Sequence, residues 1–390
     1  MTITGTLSRD VSLMDADRST LERMHAVEPV WRGIALVRDV IACDGQVILH
    51  PGPPIEPGRL SAPLCNSVVA AILFEGWALD EDSARAMIRE GAVRLVPAQD
   101  HSAMVPLAAV LSPNMAVQVI CDRNDPSNVA YSPINGGSPF AARFGLGGEK
   151  VLSHLRWING NLAATLAIVA DIDIPLLPIA DAAIAEGDDC HGKTSKASAR
   201  VVEMLAPRLG SDTLERRFLD AAPGFFLALW MAAAKCFARA AEGAGSSVVT
   251  ALGGNGSDVG LQIGAQPGRW FVAPATRPVG LVDAGFGDND RLNAIGDSAL
   301  VDALGFGAML SLPESEAKQL LPLIHPAFQR RAVRFGLSAR GVVNTGIAPR
   351  IALGILEHTG RHGRIGGGIY QPSVEPFAHA VSQLLSCHTK

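Results

Sequence analysis

Aromatic residues are scarce in this 390-residue chain, at 5%, and charged residues make up only 18%. A disordered chain would carry more charge and less apolar surface than the 48% found here, with a mean hydropathy of +0.23. Ala, Val, Leu and Ile must therefore build a large core with little aromatic help. No run of Lys or Arg forms a basic stripe and the formal net charge is −5, which argues against nucleic-acid binding. The longest apolar run lies near Phe225–Ala234 and ends at Lys235, well short of the ~20 residues a membrane span needs. The start, MTITGTLSRDVSLMDADRS, lacks the basic and apolar segments of a signal peptide. The six cysteines, Cys43, Cys65, Cys121, Cys190, Cys236 and Cys387, form no CxxC pair. They predict reduced thiols in the cytoplasm, with neither a disulfide framework nor a structural zinc site. No HExxH is present, and glycine interrupts the stretch holding His358 and His362, so neither a metal nor a cofactor is expected.

What is plentiful is glycine, 40 residues, and proline, 25, the signature of many turns between short elements. Residues 1–20 read as a loose polar arm. Residues 21–150 read as an α/β unit. VEPVWRGIALVRDVI, QVILH, VRLVPA and AVQVICD are strand-like, and SVVAAILFEGWA and Asp80 to Glu90 helix-like, with Asp80 as N-cap. Residues 151–245 carry helical spacing and little strand signal. Residues 246–390 return to strands (SSVVTAL, VGLQIGA, RWFVAPA) and close in a tail of turns and helix. The predicted class is α+β: an α/β N-terminal unit, a helical middle section and a mixed C-terminal unit. Its length suits two or three packed units.

The stretch EGDDCHGKTS contains Gly187-x-x-x-x-Gly192-Lys193-Thr194, a Walker A pattern. A working P-loop follows a strand and cradles phosphate on backbone N–H groups. Here the preceding IADAAIAE is helix-like, and Asp188 and Asp189 within the loop would repel a triphosphate. No strand ending in a Walker B aspartate follows. A nucleotide site is therefore not expected, and a solvated polar link between helices is the plain alternative.

Several segments together resemble the YlbE/YahG/AllG family: LHPGPPIEPGRLSAPLCNSVVAAILFEGWA, LSPNMAVQVICDRNDPSNVAYSPINGG with the following RFG, GDDCH, SSVVTALGGNGSDVGLQIG, IGDS, and VNTGIAP with GRIGGGIYQPSVEPF. They occur in order from about Leu21 to the C-terminus. The resemblance implies an α+β fold with a helical insertion. It also implies carbamoyltransferase chemistry of the oxamate type, in which oxalurate and phosphate give oxamate and carbamoyl phosphate, with companion subunits. The family retains an acidic residue, Cys and His at the Asp189, Cys190 and His191 positions, so Gly192-Lys193-Thr194 looks like a local variation. NGGSPFAARFG and GGNGSD depart from the family forms by an acid and a Lys, and by an Arg. An amidohydrolase using water, and a non-catalytic partner subunit, are the competing readings. A small-molecule substrate, phosphate, companion subunits and a homo-oligomer are the expected partners.

Such chemistry needs a cradle for phosphate, a cation for a substrate carboxylate, donors for the carbamoyl oxygen and a proton for the leaving nitrogen. His191 is the candidate acid/base, oriented by Asp188 or Asp189, with Cys190 as nucleophile or buried thiol. Arg143 is a candidate grip for a carboxylate or one half of a surface ion pair. Asn135, Gly136 and Gly137 form a flexible polar loop. Gly254, Asn255, Gly256, Ser257 and Asp258 form either a site loop or a hairpin turn, since Asn-Gly is a strong turn signal. Glu75 and His50 are weaker candidates, each with a structural alternative, and His101 is weaker still. Asp297 and Ser298 are read as capping the following helix. Asn135–Gly137, Cys190–His191 and Gly254–Asp258 are expected to meet at one cavity between units.

Overall fold

The computed structural model describes residues 15–136, 138–243 and 245–387, and its fold is mixed α+β with several small sheets. The first sheet is antiparallel, in the order Val129–Pro133, Ala116–Asp122, Pro29–Leu36, Ile174–Pro175. Its last strand comes from within the mainly helical stretch. Beside it, Val47–His50 pairs in parallel with Arg94–Pro97. A parallel pair needs a crossover, and the Ala62–Glu75 and Glu81–Arg89 helices supply it. Ser61 caps the first helix through the Leu64 amide, and Gly76 ends it at φ +70°. Asp80 begins the second with a capping box, its carboxylate accepting from the Ser83 amide at 2.8 Å.

The middle of the chain is built on the Phe225–Arg239 helix. Phe225, Phe226, Trp230 and Phe237 are all fully buried on it. It packs both on the first sheet and on the Val249–Asn255 strand. Several of the chain's few aromatic rings gather here: Trp230 lies 5.6 Å from Phe226 and 5.1 Å from Phe306. Truncating such a ring typically costs about 3–5 kcal/mol. Lys235, which ends the apolar run, is buried too, with its ammonium on Glu242 at 3.0 Å and the Thr250 carbonyl at 3.1 Å. Among the described residues no single helix is long and apolar enough to cross a membrane.

A second four-stranded sheet, Ile295–Gly296, Val249–Asn255, Asp258–Ile263, Phe271–Pro274, follows. The tail departs from the sequence reading. It contains two strands, Ile351–Leu356 and Arg364–Tyr370, in a three-stranded sheet with Val279–Val282. The GGG of GRIGGGIY reads locally as a turn, yet it is strand because the neighbouring backbone is so close. A Cβ at Gly366 would stand 2.2 Å from the Leu281 carbonyl oxygen, and one at Gly368 2.3 Å from that of Val279. One large core cluster joins Met24 and Trp31, the Phe225–Arg239 helix, and Leu252, Phe306, Phe335 and Phe377. A smaller one fills the space around the parallel pair, from Ile48 and Val68 to Ile295 and Leu356.

Candidate functional site

EGDDCHGKTS links two helices, Leu176–Ala185 and Ser195–Leu205. Its carboxylates occupy amides that a P-loop would offer to phosphate. Asp189 Oδ1 accepts from the His191 and Lys193 amides, both at 2.8 Å, and Asp188 Oδ2 accepts from the Ala197 amide at 2.9 Å. With a helix in place of the leading strand, the Walker letters lie outside the architecture that gives them meaning. Titration with ATP or GTP should show no micromolar binding. A micromolar affinity that disappears in Lys193→Ala would refute this.

The same loop forms one wall of a cleft of about 620 Å³. Asp188, His191 and Lys193–Lys196 come from the loop and the helix start, Pro106, Leu107, Arg143 and Phe144 from the N-terminal half. Ala352–Gly354, Arg364 and Gly367–Gly368 come from the C-terminal sheet. Four cations, Arg143, Lys193, Lys196 and Arg364, line this cleft. The amides of Ser195 and Lys196 open the helix, where no intrahelical acceptor exists. The N-terminal end of an 11-residue helix adds partial positive charge.

Arg143 is the most constrained of these cations. Among the described residues its guanidinium has no carboxylate partner. It lies 4.6 Å from the centre of the Phe144 ring, with Nη1 and Nη2 beside Gly224. Burial, aided by the charge of Arg364, pushes its pKa down to about 10. A desolvated, unpaired guanidinium favours any anion that enters.

His191 is oriented by a residue the sequence reading did not single out. Its Nδ1 bonds to Asp302 Oδ2 in a short contact. Asp188 and Asp189 hold the loop instead, which corrects the expectation that one of them would orient the ring. Asp302 is fully buried, and its Oδ1 accepts from the Ala308 amide at 2.8 Å and the Ala352 amide at 3.1 Å. Burial disfavours the imidazolium, but the Asp302 charge and hydrogen bond, with help from Asp189, outweigh it and hold the His191 pKa above its usual value. With Nδ1 engaged, Nε2 is the ring nitrogen left to serve the cleft. Gly307 makes room for the pair: its φ is +57°, and a Cβ there would sit 2.5 Å from Asp302 Oδ1 and 2.8 Å from His191 Cβ.

The remaining candidates lie elsewhere. Cys190 is in the large core, its thiol directed at the Ala180 carbonyl, and burial pushes its pKa well up, so it does not face the cleft. Gly254–Asp258 does not line the cleft, so the expected convergence of all three loops does not occur. Asn255 closes the hairpin between the Val249–Asn255 and Asp258–Ile263 strands. Its Oδ1 accepts from the Ser257 and Asp258 amides, and its Nδ2 donates to the Pro53 carbonyl at 2.9 Å. Gly256 turns the chain at φ +87°, Ser257 Oγ donates to the Arg59 carbonyl, and Asp258 pairs with Arg59 at 2.6 Å. The Pro-rich 51–57 segment can dock there because Gly52 and Gly254 lack side chains; a Cβ on Gly52 would stand 2.4 Å from the Gly254 carbonyl carbon.

His50 is fully buried against its own neighbour's carbonyl, and burial lowers its pKa to about 4. Glu75 Oε1 accepts from Ser112 Oγ at 2.6 Å and the Asn114 amide at 2.8 Å, tying down a turn. Asp297 does not cap a helix with its side chain; it accepts from the Gly52 amide at 2.8 Å, Gln99 Nε2 at 2.7 Å and the Val105 amide at 3.0 Å. Asn135 lies next to the cleft, in a cavity that shares Arg143 with it; Gly136 lines neither space and packs against the Phe218 ring, and Gly137 falls outside the described residues. Lys196, Arg364, Asp302 and Gly307 are the additions the structure makes. Lys196 and Arg364 had only their charge to mark them, and Asp302 sits in an apolar helix with no motif around it.

Comparison with known proteins agrees with this fold. A family described as "Oxamate carbamoyltransferase subunit AllG" matches residues 93–298. Oxamate carbamoyltransferase subunit AllG of Escherichia coli (strain K12) is 29% identical over 414 aligned positions, covering 96% of this chain and 98% of that one. The uncharacterized protein YahG of the same organism is 27% identical, covering 94% and 84%. A conserved protein of unknown function from Enterococcus faecalis V583, known as a crystal structure, superposes with a TM-score of 0.90 at 27% identity, covering 96% and 98%. The family match spans more than half of the 390 residues, and the chain belongs to the AllG family.

Proposed function

We propose that the cleft carries carbamoyl transfer between the nitrogen of an acidic ureide and phosphate, in the sense oxalurate plus phosphate giving oxamate plus carbamoyl phosphate. A phosphate oxygen attacks the carbamoyl carbon, a C–O bond forms, and the C–N bond breaks with its electron pair going to nitrogen. That nitrogen leaves as the oxamate amide once it takes a proton, which the imidazolium of His191 supplies from Nε2. Asp302 holds the ring and favours its charged form. Arg143, Arg364, Lys193, Lys196 and the Ser195 and Lys196 amides meet two anions, the substrate carboxylate and phosphate.

The observation that carries the reading is the pairing of an unpartnered, desolvated guanidinium with a carboxylate-oriented imidazole across one cleft. The name of the Escherichia coli relative supports the reaction class, and its description as a subunit supports assaying with companion subunits present. The test incubates oxalurate with the chain, alone and with those subunits, with and without phosphate, and measures carbamoyl phosphate. Phosphate-dependent product is expected, with the apparent KM for phosphate or oxalurate raised about tenfold or more in Arg143→Ala, given the 1.5–3 kcal/mol typical of a bond to a charged group. Oxalurate cleaved equally well without phosphate would make the enzyme a hydrolase. No turnover under any combination would leave the chain a binding subunit.

A further inference from the structure

The three successive glycines of the Arg364–Tyr370 strand differ in what they are for. Alternate residues of a strand face opposite sides of a sheet. A Cβ at Gly366 or Gly368 would collide with the backbone of Val279–Val282, at 2.2 and 2.3 Å, so the sheet itself requires both. Gly367 faces the other way. Apart from its chain neighbours, a Cβ there would meet one atom within 4 Å, Arg364 Nη2 at 3.3 Å. Its φ is not in the left-handed region either. Neither backbone conformation nor strand packing therefore demands glycine at this position.

Gly367 lines the cleft, and so does its cross-strand partner Gly354. A Cβ at Gly354 would stand 3.3 Å from Leu107 Cδ1 and 3.7 Å from Arg364 Nε. Two bare positions side by side thus leave room for the Arg364 side chain to lie against the sheet. Its Nε donates to the Gly366 carbonyl at 2.9 Å, and among the described residues it forms no ion pair. Leu107, which reaches the same space, holds φ +49°. A leucine in that region is strained, and such strain gathers at ligand sites.

A long, exposed arginine ordinarily samples many rotamers, and a ligand that uses it must first still it. Here the tether at Nε leaves Nη1 and Nη2 for an acceptor, and the space over Gly354 and Gly367 fixes where they stand. We infer that Gly367 is a positioning residue for Arg364. It lets the guanidinium lie against the sheet, with its Nη groups preset to grip an oxyanion of the ligand, carboxylate or phosphate, in the cleft that it shares with Arg143. The inference rests on the reading of this cleft as an anion site, but not on carbamoyl transfer as the reaction.

The experiment is a double-mutant cycle, read by calorimetric titration of the full chain with oxamate and, separately, with inorganic phosphate. Gly367→Ala should keep the wild-type melting temperature, because its close neighbour is the tip of a flexible side chain, whereas Gly366→Ala should lower it. Affinity for at least one of the two anions should fall about tenfold or more in Arg364→Ala. It should fall about three- to tenfold in Gly367→Ala, the effect of ordering one long side chain. The anion that responds identifies the oxyanion Arg364 grips. In the Arg364→Ala background, Gly367→Ala should change nothing further, since no guanidinium is left to position. A folded Gly367→Ala protein that binds both anions like the wild type overturns the inference. So does a loss of equal size in both backgrounds, or a fall in melting temperature matching that of Gly366→Ala, which would assign the glycine to the sheet. Neither anion bound by the wild type up to about 10 mM, the weak end of the affinity scale, overturns it as well. Failure of carbamoyl transfer shows separately, in the phosphate-dependent assay, and leaves the cycle readable.

Discussion

His191→Ala is expected to lower kcat by about 10²–10⁴-fold, the usual worth of a positioned acid or base, while the protein stays folded. The side chain to be lost touches one buried carboxylate and the cleft, and its backbone amide still reaches Asp189 in the variant. The pH profile gives the sharper test. If imidazolium is the acid, the rate is full below the His191 pKa and is lost as pH rises through it. Because Asp302 raises that pKa, the falling limb should lie above the ordinary histidine value of about 6.5. Asp302→Asn keeps an acceptor of similar size but cannot stabilise imidazolium, so it should move that limb to lower pH as well as reduce the rate. A purely structural role would leave the limb where it is. A folded His191→Ala enzyme within threefold of wild-type kcat would remove the residue from the chemistry.

The second large effect concerns stability. Asp297→Ala should destabilise the protein by about 3–6 kcal/mol, because it strands the Gly52 and Val105 amides and Gln99 Nε2 in a fully buried place. At roughly 2–4 °C per kcal/mol for chains somewhat smaller than this one, the melting temperature should fall by about 5–15 °C. Burial pushes the Asp297 pKa up to about 7, against the pull of those donors and of Lys235. A folded-state pKa above the unfolded value of about 3.9 means that the native state binds the extra proton in between. The contribution is then complete below about pH 4 and is lost as pH rises through about 7. Denaturation curves across this window should fall with pH for the wild type and lack that slope in the alanine variant. Parallel curves for the two proteins would assign the pH dependence to other groups.

Features whose cause lies within a few residues could be read from the sequence. Asp80, read as an N-cap, specifies a local geometry and adopts it, whereas the apolar helix read through Gly76 to Ala78 in fact ends at Glu75. The helices either side of EGDDCHGKTS likewise follow from local pattern. What escaped is set by distant neighbours. The glycines of Arg364–Tyr370 form a strand because Val279–Val282 and Ile351–Leu356 lie alongside on its two edges. His191 meets Asp302 across 111 positions, and nothing in ALVDAL marks its aspartate as other than a break in an apolar run. Asn255 showed both faces of the problem. Its polar, glycine-flanked surroundings suit a ligand loop and a turn equally, and only the docked Pro53 carbonyl decides that its side chain is already occupied.

The placement of the Phe225–Arg239 helix bears on how the chain is made. The strands Pro29–Leu36, Ala116–Asp122 and Val129–Pro133 emerge early from the ribosome, but the helix that packs on them is completed only at residue 239. At synthesis rates of about 5–20 residues per second, their apolar face waits roughly 5–20 s for its cover. During that interval the nascent sheet offers hydrophobic surface and an unpaired edge, the two features that recruit chaperones or seed misassembly. A stall placed before Phe225 should therefore yield bound or aggregated nascent chains, whereas one placed well beyond the helix should not.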